Sequence, residues 1–218
     1  MRKKISFIIT ICIAVCVAAI MGNIYGKYKQ EKELPVCESM AIYPQFSMPE
    51  LVETSSTIVN ATVVEVGDTY MDEIAVSLTE DPSEASEVIY NPITPITLEI
   101  ETSLKGSEED FTITYYEEGG TTPTYIQLPD GYKMEEGMEI IIFLNDKGYS
   151  WGAQSIFPVI ENEVILNETA LNHLEEANVS IIDKSTIENS VGRQIADTTV
   201  SVMDKDEFLN IIEGLVEN

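Results

Sequence analysis

Carboxylates are the most abundant chemistry-bearing side chains in this 218-residue chain, 38 Asp+Glu against 12 Lys+Arg and one histidine. Two chemistries could use them. A paired-acid hydrolase needs two carboxyl groups facing each other across a cleft, about 5–10 Å apart. Glu117 and Glu118 follow Tyr115 and Tyr116 at a strand end. Consecutive strand residues point to opposite faces, so these two acids cannot form such a pair by themselves. Calcium asks for hard oxygen ligands, which Asp68, Asp72 and Glu73 offer, as do Glu80, Asp81, Glu84 and Glu87. Neither set follows the D-x-[DN]-x-[DN]-G loop, and a solvated acidic surface accounts for the same residues.

Other catalytic chemistry has little to stand on. His173, in Ala170-Leu171-Asn172-His173-Leu174-Glu175, is the only histidine, which rules out a histidine-rich zinc site. It reads as a helix-surface residue. The chain has no G-x-S-x-G, S-x-x-K, Walker loop or dinucleotide fingerprint. Gly119-Gly120 reads as a turn or bulge, with no helix after it to cradle a phosphate. The expectation is a protein that is not an enzyme, with no cofactor apart from calcium as a possibility.

Aromatic residues suggest binding instead. The only tryptophan stands in Tyr149-Ser150-Trp151-Gly152, after a turn and beside glycine. With Tyr115, Tyr116, Tyr125 and Tyr132 it could form a stacking platform for a glycan or peptide. The alternative is that these aromatics fill a core.

These side chains need a scaffold, and the pattern is mainly β. Ser47-Met48-Pro49-Glu50 reads as a helix start with Ser47 as cap, the helix running from Pro49 to Ser55. Ile58 to Val66 is rich in β-branched residues, and Tyr70 to Leu78 reads as a second strand. Thr79 to Pro92 is acidic and carries turn signals, which predicts a long exposed loop. Ile96, Leu98 and Ile100 alternate with Thr97, Glu99 and Glu101 in a strand over Ile93 to Leu104. Phe111, Ile113 and Tyr115 form another alternating set. Glu139 to Asn145 is a continuous apolar strand, and Asp146-Lys147-Gly148 turns the chain into Tyr149 to Val159. Glu163 to Leu166 suggests a short strand and Glu168 to Ala177 a short helix. Asp204 caps a last amphipathic helix with Phe208, Ile211, Ile212 and Leu215 on one face. The fold class expected is a small antiparallel, partly open β-barrel, OB-like, with a few flanking helices.

The N-terminus sets the compartment. Arg2-Lys3-Lys4 precede an uncharged run from Ile5 to Gly26, and Lys27, Lys29 and Lys32 follow. As a helix, Ile5 to Tyr25 would be about 31 Å long, enough to cross a hydrocarbon core of about 30 Å. Cys16-Val17-Ala18 and Ile20-Met21-Gly22 are poor cleavage sites. Residues 1–26 therefore read as a transmembrane anchor or signal peptide, 27–46 as a linker and 47–218 as an extracytoplasmic domain. That domain is held at the cell membrane by a single pass, or secreted if the segment is cut.

Beyond residue 32, 186 residues keep 6 of the 12 basic side chains and 37 of the 38 acidic ones, a formal charge of −31. Such a domain repels phosphate backbones, which argues against nucleic acid as a partner and leaves cationic proteins or peptides, glycans or calcium. Cys37 stands alone outside the apolar run and cannot form an internal disulfide. Asn60, Asn167 and Asn178 begin glycosylation sequons, which carry meaning only in a eukaryotic host.

Several motifs follow one another along the chain. They are Leu51 to Val66 (LVETSSTIVNATVVEV), Leu104-Lys105-Gly106, Gly119-Gly120, Gly137-x-x-x-Ile141-x-Phe143-Leu144 and Gly152-x-Gln154-Ser155-x-Phe157. In this order the chain, over about residues 49–166, resembles a group of uncharacterised exported bacterial proteins with a small β-barrel, OB-like domain. The resemblance implies an extracytoplasmic β-barrel and no activity assignable to particular residues. The acidic stretch at 79–92 departs from that pattern. The functional expectation is a membrane-anchored or secreted binding module. The alternatives are an extracellular carboxylate-dependent hydrolase and, by fold analogy alone, an inhibitor-like OB barrel.

Overall fold

The computed structural model describes residues 34–39, 42–76, 87–106, 111–174, 179–187 and 190–217. The apolar run, the loop acids Glu80, Asp81 and Glu84, and Asn178 lie outside them. Among the described residues no helix is long and apolar enough to cross a membrane.

The chain is mainly β, with twelve strands in two sheets among the described residues: β1 (Val36–Glu38), β2 (Thr57–Val66), β3 (Tyr70–Val76), β4 (Glu87–Lys105), β5 (Thr112–Glu118), β6 (Gly120–Thr121), β7 (Ile126–Leu128), β8 (Glu139–Leu144), β9 (Ile156–Ile160), β10 (Glu163–Ile165), β11 (Ser180–Asp183) and β12 (Thr199–Asp204). The helices are α1 (Met48–Thr54), α2 (Glu168–Leu171), α3 (Ser190–Gln194) and α4 (Lys205–Val216). A nine-stranded antiparallel sheet runs β11-β12-β10-β9-β8-β2-β4, and both β3 and β5 pair with β4. A small sheet, β1-β7-β6, stands beside it. No pairing among the described strands joins the ends of the large sheet. It is open, and the expected barrel is not formed by the pairing.

Burial on both faces explains why β8 reads as an unbroken apolar run. Ile140, Ile142 and Leu144 face one cluster with Val59, Ala61, Ile96, Leu98 and Val202. Ile141 and Phe143 face the other, with Ile58, Phe157, Met203 and the helix residues Leu51, Val52, Phe208 and Ile212. Helices α1 and α4 thus cover one face. The opposite, inner face is covered by Met134, Met138, Ile187, Val191 and Ile195.

The helix ends are made as the sequence suggests. The Glu50 carboxylate accepts both the N–H and the hydroxyl of Ser47, and the Asp204 carboxylate accepts the N–H of Glu207. Lys105 donates to the carbonyls of Val52 and Glu53 at the end of α1.

The largest departure from expectation is β4. Residues 87–92, expected in an exposed loop, extend this strand and pair with β3, from Tyr70↔Ile93 to Val76↔Glu87. The turn signal of Asn91-Pro92 is overridden by that partner strand. Tyr149 to Val159 departs as well: a 3-10 turn over Gly152–Ser155 precedes β9. Phe111 lies just before β5 and is exposed, whereas Ile113 and Tyr115 turn inward.

Candidate functional site

β2 and β3 run one after the other along the same edge of β4, joined through the Gly67 N–H, which donates to the Pro95 carbonyl. β5 takes the opposite edge but reaches only Ile93. Beyond that point β3 and the first part of β4 form a two-stranded ribbon, fastened at its root where Gln127 Nε2 donates to Asn91 Oδ1. Register places Tyr70, Ile74 and Ile89 on one face, and Met71, Val88 and Tyr90 on the other. All six are exposed, Val88 by 52%, Ile89 by 48% and Tyr90 by 59%. The outer edges of β3 and of β4 over 87–91 pair with no described strand. A two-stranded hairpin is marginal in water on its own, and this ribbon leaves apolar groups exposed on both faces.

At the ribbon root the outer face becomes aromatic. Tyr116 and Tyr149 pack with ring centroids 5.4 Å apart and planes tilted by 32°. Tyr70 sits across β4 on the same face, opposite Ile93, which is also paired with Glu118. Burial raises the Tyr149 hydroxyl pKa, and the nearby Tyr70 and Asp72 raise it further. The turn carrying Tyr149 is held by Asn145, whose side chain accepts the N–H groups of Lys147 and Tyr149. Beside this patch the Tyr43 hydroxyl donates to Glu118, and burial pushes the Tyr43 pKa up.

The inner face at the same root is polar. In the inward row Ile113, Tyr115, Glu117, the last position carries a carboxyl group that is only 2% exposed. Met134 donates its backbone N–H to Glu117 Oε2 at 2.8 Å. Oε1 accepts no hydrogen bond from any described residue. Burial pushes the Glu117 pKa up to about 7, against the opposing effects of the Met134 N–H and the Lys133 ammonium. Glu117 lines a cleft of about 360 Å³ with Asp68, Thr69, Thr94, Thr121, Thr122 and Lys133. Its floor is tied together: the Thr69 and Thr94 hydroxyls lie 2.9 Å apart, and Thr94 donates to the Gly119 carbonyl at 2.7 Å. Gly120, with φ +138°, must be glycine there, since a Cβ would lie 2.3 Å from both threonine hydroxyls.

No protein-family model, curated protein or solved structure matches the chain.

The aromatic residues expected to form one platform are divided among several places. Tyr115 is buried, with its hydroxyl 3.4 Å from Ser150 Oγ, and belongs to the inner core. Tyr132 packs against that same core, and Tyr125 lies near β7, its carbonyl accepting the Thr122 hydroxyl. Trp151 is half-buried and meets Phe46 edge-on, centroids 5.3 Å apart. It lines a separate concavity of about 420 Å³ with Tyr43, Asp130, Gln154, Asn167 and Glu168, and its buried indole N–H meets no acceptor among the described residues. Only Tyr116 and Tyr149 are brought together, and Tyr70 joins them unanticipated.

Among the described residues, the acids expected to serve calcium do not converge. Asp68 lines the Glu117 cleft, while Asp72 and Glu73, adjacent on β3, point to opposite faces of the ribbon. Glu87 stands in β4. Among the described residues no group of three His, Cys, Asp or Glu could hold a metal ion. Glu117 and Glu118 do face opposite ways, as their adjacency requires. His173 is exposed after α2. Asn60 is buried and donates to Glu101 and Glu139, and Asn167 caps α2, so both sequon side chains are engaged internally.

Proposed function

We propose that this chain is an exported, non-enzymatic binding module that takes a cationic polypeptide along the β3–β4 ribbon. The observation that carries the reading is the ribbon itself: six exposed apolar side chains on two faces, between two edges that pair with no described strand. Unpaired edges accept an added strand through main-chain hydrogen bonds, and alternate side chains then meet the two faces.

Charge selects the occupant. The residues after 32 carry −31, and Asp72, Glu73 and Glu87 lie on the ribbon itself. The domain's own cations are largely committed. Lys105 and Lys184 donate to backbone carbonyls, Arg193 pairs with Glu135, and Lys205 pairs with Glu139 and Glu101. A basic strand gains from this field, whereas a second copy of the chain would bring like charges together. Export rests on the Arg2-Lys3-Lys4 cluster and the apolar run behind it.

The test is titration of the full chain with an alternating lysine–valine peptide and its glutamate–valine counterpart. The basic peptide should bind, weaken with added salt, and lose about tenfold in affinity when Val88→Ser and Tyr90→Ser are combined. Equal binding of both peptides, or a concentration-dependent dimer that excludes them, would overturn the reading.

The carboxylate-hydrolase alternative has one observation in its favour, the placing of Glu117 and Asp68 in one cleft. Turnover of an aryl glycoside that disappears in Glu117→Gln would replace the binding reading with it.

A further inference from the structure

The inner face of β5 poses a question that the ribbon does not answer: why a carboxyl group is buried where Ile113 and Tyr115 set an apolar row. We propose that the cleft at Glu117 is a binding site for a single organic cation, an alkylammonium or guanidinium group, held by Glu117 Oε1, which accepts from no described residue. The site stands on Glu117 and its surroundings and does not depend on the ribbon reading.

Glu117 is 2% exposed, and one of its oxygens is satisfied by the Met134 N–H. The other accepts nothing from the described residues, while Glu117 lines an accessible cleft. A buried carboxylate with an open oxygen is best completed by a charged donor, because charge-assisted hydrogen bonds are the strong ones.

The rest of the lining points the same way. The Thr94 and Thr122 hydroxyls already donate to the Gly119 and Tyr125 carbonyls. The Thr121 N–H is turned to Thr69 Oγ1. Among the described residues, the charged donor left to an anion is the Lys133 ammonium at the rim. The charged or titratable groups around Glu117 among the described residues are Asp68 from the β2–β3 link, Lys133 from the segment before β8, and Tyr115 next in the inward row. Lys133 is exposed at the rim, and its ammonium opposes the raised pKa of Glu117. It therefore competes with an incoming cation and does not assist it.

The cation requires the ionised carboxylate, so binding is linked to loss of a proton. With the Glu117 pKa near 7, affinity should be level above that pH and fall about tenfold per unit below it. The cationic group could belong to a free amine or to a lysine or arginine side chain of a polypeptide.

The experiment is titration of the full chain with n-butylammonium and guanidinium across this pH range, with butyrate and methyl glucoside as anionic and neutral probes. Expected are cation binding with that pH profile, its loss in Glu117→Gln, and tighter binding in Lys133→Met. Displacement of n-butylammonium by a lysine peptide, absent when norleucine replaces the lysines, would assign the source to a side chain. Failure of that displacement would assign it to a free amine. Cation binding with no pH dependence, binding retained in Glu117→Gln, weaker binding in Lys133→Met, or preference for butyrate or the glucoside would each overturn the proposal. The ribbon substitutions Val88→Ser and Tyr90→Ser should leave n-butylammonium binding unchanged, which separates this site from the ribbon.

Discussion

Glu117 and Met134 are joined by a 2.8 Å hydrogen bond in which the Met134 backbone N–H donates to Glu117 Oε2. The bond ties the end of β5 to the segment that leads into β8, and it places a carboxyl group inside the sheet. One N–H does not repay the desolvation of that carboxylate, which is why burial dominates its pKa.

Stability should consequently depend on pH through this residue. The unfolded chain ionises Glu117 near 4.5, whereas the folded chain keeps the proton to about 7. Folding thus holds more protons in this interval, and stability falls as pH rises through it, then levels off. Glu117→Gln keeps the acceptor for Met134 and removes the titration. Its advantage over the parent should grow from nothing below about pH 4.5 to about 3 kcal/mol above pH 7. Urea unfolding across this range measures it, and a pH-independent difference would refute the burial account.

Gly120→Ala should destabilise the fold by about 1–3 kcal/mol, from positive φ and from collision with Thr69 and Thr94. Gly137→Ala is the control, because that glycine shares a positive φ but has no atom near its Cβ position. A smaller loss at 137 than at 120, read from urea midpoints, would locate the cost in the threonine pair.

Phe208 of α4 packs on Phe157, centroids 5.1 Å apart, and Phe157 in turn meets Phe143 of β8. Phe208 is fully buried. Phe208→Ala should cost about 3–5 kcal/mol by opening a cavity between α4 and the sheet. A thermal or urea melt reads this directly, and a loss below 1 kcal/mol would mean that α4 does not seal this face.

Val88→Ser and Tyr90→Ser should behave in the opposite way. Both side chains are more than half exposed, so each change should alter stability by less than about 0.5 kcal/mol while weakening the basic peptide. A large loss of stability would show that the ribbon serves the fold.

Much of the scaffold was readable in the residues because local pattern and burial agree. Ile96, Leu98 and Ile100 alternate because only one face of β4 meets the inner core there, and EIIIFL does not alternate because both faces of β8 are covered. The first half of β4 was hidden because Asn91-Pro92 looks like a turn and its strand character comes from pairing with β3. Glu117 was harder to see. Its inward direction follows from Ile113 and Tyr115 at two-residue spacing, but its burial depends on Met134 and Thr94, which no local pattern joins to it. The aromatic platform failed for a related reason: Tyr115 and Tyr116 differ by one position and so face opposite ways.

Hydrogen exchange on the full chain, with and without the alternating lysine–valine peptide, tests the central claim most directly. Strand addition at the ribbon predicts slower exchange of amides within 70–76 and 87–91 when the basic peptide is present, and no slowing with the glutamate–valine peptide. Exchange in the ribbon that stays unchanged while the basic peptide is bound would contradict the account.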